Sequence, residues 1–112
     1  MALPLIESIG LVAGDVVALV GAGGKTTIAH QLLSEAVDRG WKVVFTTTTR
    51  IRSGQTMGLP VVEPEAVAAA LAGRGACVMA RPWKEGRKLV GPGPEFVAVV
   101  ARQADLVIVE AD

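Results

Sequence analysis

Short apolar runs without alternation recur along this chain, separated by stretches whose apolar residues fall at helical spacing. Val16-Val17-Ala18-Leu19-Val20 is the first such run, and it reads as a strand buried on both faces, since a half-buried strand alternates apolar with polar. Lys42-Val43-Val44-Phe45-Thr46, Ala76 to Met79 and Leu106-Val107-Ile108-Val109 read the same way. Between the first two, from Thr26 to Arg39, apolar residues pair up as Ile28/Ala29, Leu32/Leu33 and Ala36/Val37. That spacing predicts one helix, with His30, Gln31, Ser34, Glu35 and Asp38 left for its outer side and Gly40 as the residue that ends it. Shorter helices are predicted over Pro64 to Ala72 and Pro94 to Ala104, with a helical lead-in over Leu5 to Leu11 and a turn at Gly14-Asp15. Arg50 to Pro60 reads as a polar loop, and Arg81 to Pro94 as a mixed segment with a small excursion at Lys88-Leu89-Val90. Strands alternating with helices predict an α/β fold in one domain spanning 1–112, a parallel sheet flanked by helices. Val16–Val20 and Leu106–Val109 are expected side by side at its centre.

Composition narrows the class. The chain has 112 residues, 51% of them apolar but only 4% aromatic, so its core must be built from Val, Leu, Ile and Ala. No apolar run approaches the roughly 20 residues of a membrane span, and no secretory signal is visible. Eleven basic residues balance eleven acidic ones, which gives no electrostatic footprint for nucleic acid. A lone cysteine, Cys77, has no internal disulfide partner, reads as core, and fits a reducing compartment. The expectation is a cytoplasmic protein with neither a membrane nor a nucleic-acid partner.

The first strand runs straight into Gly21-Ala22-Gly23-Gly24-Lys25-Thr26-Thr27 and then into the first long helix. Strand, glycine-rich turn and helix in direct succession aim several backbone N–H groups at one point, reinforced by the positive end of the helix. Glycine permits the close approach and positive φ that such a turn requires. Lys25 is placed to reach β- and γ-phosphates, the Thr26 hydroxyl suits Mg²⁺, and Thr27 suits the phosphate nearest the base. The loop is tighter than G-x-x-x-x-G-K-[ST], because Leu19 stands where that pattern has its first glycine. It also departs from the dinucleotide pattern G-x-G-x-x-G, because Thr26 replaces the third glycine. Its shorter form, G-x-x-G-K-T-T, is similar to the ATP loop of Mur-type and folylpolyglutamate ligases. The expected ligand is a nucleoside triphosphate, ATP or GTP, with Mg²⁺.

In an open α/β sheet the site lies beyond the C-terminal strand ends. The second strand ends in Thr46-Thr47-Thr48-Thr49 followed by Arg50. These are candidates for ordering water around the metal or holding a second substrate, although threonine also simply favours strands. The last strand ends in Glu110-Ala111-Asp112, whose spacing puts both carboxylates on one face of an extended chain. With Thr26 they form the candidate metal set. Loop cations, including Arg52, Arg81, Lys84, Arg87 and Lys88, are placed to meet an anion or solvent.

Taken together, Val20-Gly-Ala-Gly-Gly-Lys-Thr-Thr27, Phe45-Thr-Thr-Thr-Thr-Arg-Ile51 and Val109-Glu-Ala-Asp112 resemble the YqeC family of selenium-dependent hydroxylase accessory proteins. The resemblance implies a P-loop protein that assists molybdenum hydroxylases in cofactor maturation, with their maturation proteins as partners. Arg50 stands where the family usually carries His, so no imidazole role transfers. The family pattern continues beyond Glu-Ala-Asp, so the chain reads as an N-terminal portion, with a sheet edge open to self-association. Three functions stay open: an NTPase or NTP-dependent maturation enzyme, a nucleotide-gated chaperone or scaffold without turnover, and a fragment of a Mur-type ligase.

Overall fold

The computed structural model describes residues 3–21, 23–48, 50–52, 57–82 and 88–111, with backbone alone for 50–52 and 88. Ala22, Thr49 and Asp112 lie outside the described residues.

Helix α1 (Leu5–Ile9) precedes strand β1 (Asp15–Leu19), which leads through the glycine loop into α2 (Lys25–Asp38). Strand β2 (Val43–Thr47) is followed by β3 (Arg50–Arg52) and β4 (Val61–Val62). A 3₁₀ turn (Pro64–Ala66) opens α3 (Val67–Arg74), and β5 (Ala76–Met79), β6 (Arg81–Pro82) and β7 (Lys88–Val90) come next. Helix α4 (Pro94–Val100) and strand β8 (Leu106–Glu110) complete the order. Five strands form a parallel sheet in the order β1-β8-β2-β5-β4, while β3, β7 and β6 make a small antiparallel sheet.

Two apolar layers sandwich the large sheet. On one face α1 and α2 contribute Ile6, Ala29, Leu32 and Ala36 against Val43, Phe45, Leu106 and Ile108. On the other, α3 and α4 contribute Val67, Leu71 and Val100 against Val44, Cys77, Val107 and Val109. The runs that lack alternation in β2, β5 and β8 are thus covered on both sides, as parallel strands require. Burial pushes the Cys77 thiol up to about 11, which suits a packing role.

Strand β1 departs from its expected position. It pairs with β8 as predicted, but it stands at the edge of the sheet among the described strands, and Val16 is 44% exposed. The reason lies in β8, which arrives last and inserts between β1 and β2, pairing with both. Other differences are smaller. The polar loop after β2 contains β3, which finds its partner β7 far along the chain. Helix α4 is regular to Val100 and continues as turns to Ala104, whose N–H donates to the Val100 carbonyl at 3.0 Å, before Asp105 clasps Lys42: the Lys42 N–H donates to Oδ2 of Asp105 at 2.8 Å, and the Asp105 N–H donates to the Lys42 carbonyl at 2.8 Å.

Helix α1 is only five residues long and has no cap of its own, which leaves it marginal in isolation. Glu35 of α2 supplies the missing acceptors, its carboxylate taking the N–H of Leu5 at 2.9 Å and of Ile6 at 2.8 Å. Arg39 adds an ion pair to Glu7 at 3.1 Å. Desolvation pushes the Glu35 carboxyl up, but the N–H donors of Ile6 and Leu5, with Gln31 and Arg39, outweigh it and hold it below its ordinary 4.5. A carboxyl depressed on folding stabilises the fold above its unfolded pKa, and that contribution is lost as pH falls through the folded value. Glu35→Ala is therefore expected to cost about 0.5–2 kcal/mol at neutral pH, the range for losing a helix cap. Urea denaturation should show the gap between parent and variant closing below pH 4.5.

Candidate functional site

The C-terminal ends of β1, β8 and β2 form one rim. Parallel register sets Leu19 beside Glu110, and Glu110 beside Thr47. Beyond Leu19 the chain turns through Gly21 (φ 100°), Gly23 (φ 82°) and Gly24 (φ 76°), each in the left-handed region where a side chain would be strained. Gly24 is the N-cap of α2 and supplies no side chain, and the first turn of the helix contains no acidic residue. Neither the N-cap nor the first turn thus supplies a carboxylate to the positive end of this fourteen-residue helix. This contrasts with α1, whose N–H groups Glu35 accepts.

Lys25 begins the helix and is half-buried, and its Nζ donates to the carbonyl of Ala111 at 3.2 Å. That bond carries the lysine across the top of β1 to the end of β8, whose Ala111 N–H in turn donates to the Leu19 carbonyl at 2.9 Å. Thr26 and Thr27 follow on the first helical turn, both exposed. Glu110 is half-buried, with its backbone carbonyl accepting the Thr48 N–H at 3.1 Å and the Thr47 hydroxyl at 3.0 Å.

The threonine run divides by role. Thr46 is fully buried and donates its hydroxyl to the Met79 carbonyl at 2.7 Å, which ties β2 to β5. Thr47 is 4% exposed and directs its hydroxyl to β8, whereas Thr48 is exposed at the rim. Thr49 and the Arg50 side chain fall outside the described residues, as do Ala22 and Asp112. Of the loop cations, Arg81 is held by Glu63 at 2.7 Å and Glu65 at 3.0 Å and lies over the Phe96 ring. Among the described residues no group of three or more His, Cys, Asp or Glu side chains is placed to hold a metal. The hydroxyl of Thr26 and the carboxylate of Glu110 are hard oxygen donors of the kind Mg²⁺ takes alongside water and phosphate. No helix of the described residues is long and apolar enough to cross a membrane.

One structural feature of the rim had no signal in the sequence. The segment from β7 to α4, Gly91-Pro92-Gly93-Pro94, crosses the end of β2 so closely that a Cβ on Gly91 would overlap the Thr47 carbonyl oxygen. Only the pairing of β7 with β3 and β6 brings it there, so local spacing could not reveal it.

A family model described as YqeC protein matches residues 17–112, from within β1 to the end of the chain. The chain belongs to the YqeC family. No curated protein and no solved structure matches it. The matched span takes in the glycine loop, the threonine run and the acidic end of β8, the three segments that meet at the rim of this YqeC chain.

The Gly91 crossing gives a direct check on how this rim is built. Gly91→Ala has no space for its methyl group without moving backbone, and overpacking of this kind costs about 1–3 kcal/mol. Thermal unfolding should register that loss, and amide spectra should place the shifts at Thr47, Thr48 and the start of α4, with α1 unmoved.

Proposed function

We propose that the chain binds a nucleoside triphosphate, ATP or GTP, with Mg²⁺ on the loop over 21–27. The observation that carries this reading is the run of left-handed glycines delivering the start of α2, with its glycine N-cap, to the rim, and Lys25 drawn over to Ala111. Backbone N–H groups of the loop and the helix end would hold the phosphates, and the Lys25 ammonium would bridge the β- and γ-oxygens. Thr26 and Glu110 would hold the cation, with Asp112 as a further ligand. Bound Mg²⁺ would supply neutralisation of phosphate charge. Thr48, exposed beside Glu110, is the threonine best situated to orient water or a second substrate, and Thr49 and Arg50 complete that proposed set. The Thr46 and Thr47 hydroxyls are directed to backbone carbonyls and would act by holding the strand ends in register.

The wider role we propose, which membership of the YqeC family supports, is that of an accessory factor in maturing the cofactor of selenium-dependent molybdenum hydroxylases, working in the cytoplasm with the proteins of that pathway. Nucleotide binding is the part that the residues themselves argue for, and it is tested first.

Calorimetry with ATP, GTP and CTP, with and without Mg²⁺, should show triphosphate binding that strengthens with the metal. Lys25→Ala is expected to lose about 1.5–3 kcal/mol, or roughly 10- to 150-fold in affinity, because charge-assisted hydrogen bonds are removed. An unchanged affinity in that variant would sink the reading. Thr26→Ala should behave differently. Its backbone N–H still faces phosphate, so nucleotide binding persists while the response to Mg²⁺ shrinks. A variant that responds to Mg²⁺ as the parent does would remove Thr26 from the metal set.

A further inference from the structure

Beside the phosphate loop, on the α4 face of the sheet, lies a cavity of about 290 Å³. Its walls are Ala18 of β1, Val109 of β8 and Ala111 just beyond it, Val97 of α4, and Gly91, Gly93 and Pro94 of the crossing, and the end of β2 closes it at Thr47 and Thr48. Every described residue that lines it is uncharged. A larger recess, about 490 Å³, lies on the β4–β5 side of the sheet, but its carboxylates Glu63 and Glu65 are already engaged by Arg81 and two strands separate it from β1.

Three observations give the smaller cavity its meaning. First, Ala111 belongs both to its wall and to the lysine contact, so the cavity begins one residue from the Lys25 ammonium. Since that lysine attends the β- and γ-phosphates, the terminal phosphate end of a nucleotide faces the cavity, while Thr27 and the base lie the other way. Second, the wall is closely set: a Cβ on Gly91 would overlap the Thr47 carbonyl oxygen, and two prolines fix φ along the crossing. Third, the lining is aliphatic, with few polar groups. A cavity of about 150 Å³ accommodates benzene, so this one has room for roughly a bicyclic or substituted ring.

We propose that this cavity binds an uncharged, ring-sized organic substrate or moiety, held beside the terminal phosphate of the nucleotide as the second substrate. The cavity assignment stands on geometry; its role as a second-substrate site rests on the nucleotide reading above. Apolar walls of Ala18, Val97 and Val109 select against a charged group, which would lose its hydration with no counter-charge among the described lining residues.

The test uses indole as a neutral bicyclic probe and indole-2-carboxylate as its charged counterpart, followed by amide NMR on the full chain. With Mg-ATP bound, so that phosphate engages the Lys25 ammonium, indole should cause saturable shifts at Ala18, Gly91, Val97 and Ala111, and the carboxylate should bind more weakly. Ala18 is exposed on the edge strand, so Ala18→Leu should fold and fill the cavity. It is expected to weaken indole by at least about tenfold, as one misfit aliphatic group does, while Mg-ATP affinity changes by less than about twofold. Lys25→Ala should do the reverse. Indole and Mg-ATP should bind together. Saturable Mg-ATP binding without indole shifts at these residues overturns the proposal, and so does a carboxylate that binds as tightly as indole. Mutual displacement of indole and Mg-ATP overturns it as well, since the cavity would then belong to the base. Indole binding in a chain that binds no triphosphate removes the nucleotide reading, and with it the second-substrate role.

Discussion

Strand β8 and its two-sided parallel pairing hold the rest of the molecule in place. Leu106 to Val109 are buried on both faces, and each such side chain contributes about 1.5–3 kcal/mol relative to exposure. The same strand sets Leu19, Glu110 and Thr47 in one row. Side chains on a strand alternate with a period of two, so a slip by one residue would turn Glu110 to the opposite face. It would also break the Ala111 contacts with Leu19 and Lys25 together. The apolar runs on both faces exclude that slip, because they meet two different helix layers: Leu106 and Ile108 face α1 and α2, Val107 and Val109 face α3 and α4.

On that frame the candidate site is mostly backbone. The glycine loop stores positive φ angles that only glycine adopts without strain, and α2 begins with neither a capping side chain nor an acid in its first turn. Such a terminus attracts anions, and a carboxylate placed there would satisfy it internally and weaken it as a phosphate site. Acidic caps are instead found where they stabilise structure: Glu35 on α1, and Asp105 on the turn at Lys42. The division is physical. α1 and the turn at Lys42 have their donors satisfied by carboxylates from elsewhere in the chain, whereas α2 begins at a glycine N-cap with no acidic residue in its first turn.

The crossing from β7 to α4 gives the rim its third side. It carries the chain from Leu89, packed with the α2 layer, to Phe96 and Val97, packed with the α4 layer. The glycine wedged against Thr47 sets how near it comes, and the prolines limit how far it can move.

Much of this was legible residue by residue. Runs without alternation located β2, β5 and β8, helical spacing located α2, and the glycine loop between β1 and α2 stood out as the candidate site, because these signals are local and each depends on neighbours within a few positions. Two of the predicted residues read differently once packed. Thr46 and Thr47 looked like free hydroxyls at a strand end, but neighbouring strands offer their carbonyls to them. The edge position of β1, the Glu35 cap on α1, the pairing of β3 and β6 with the Lys88–Val90 strand and the Gly91 crossing had no local signature. Each arises from pairing between segments far apart in the chain. The sequence by itself determined where the longer strands and helices lie and which glycine turn joins β1 to α2, through side-chain period and glycine conformation. Tertiary structure alone decided that β8 also pairs with β2 and leaves β1 at the edge of the described sheet, because insertion between two strands is a choice of partners, and backbone hydrogen bonds carry no residue identity.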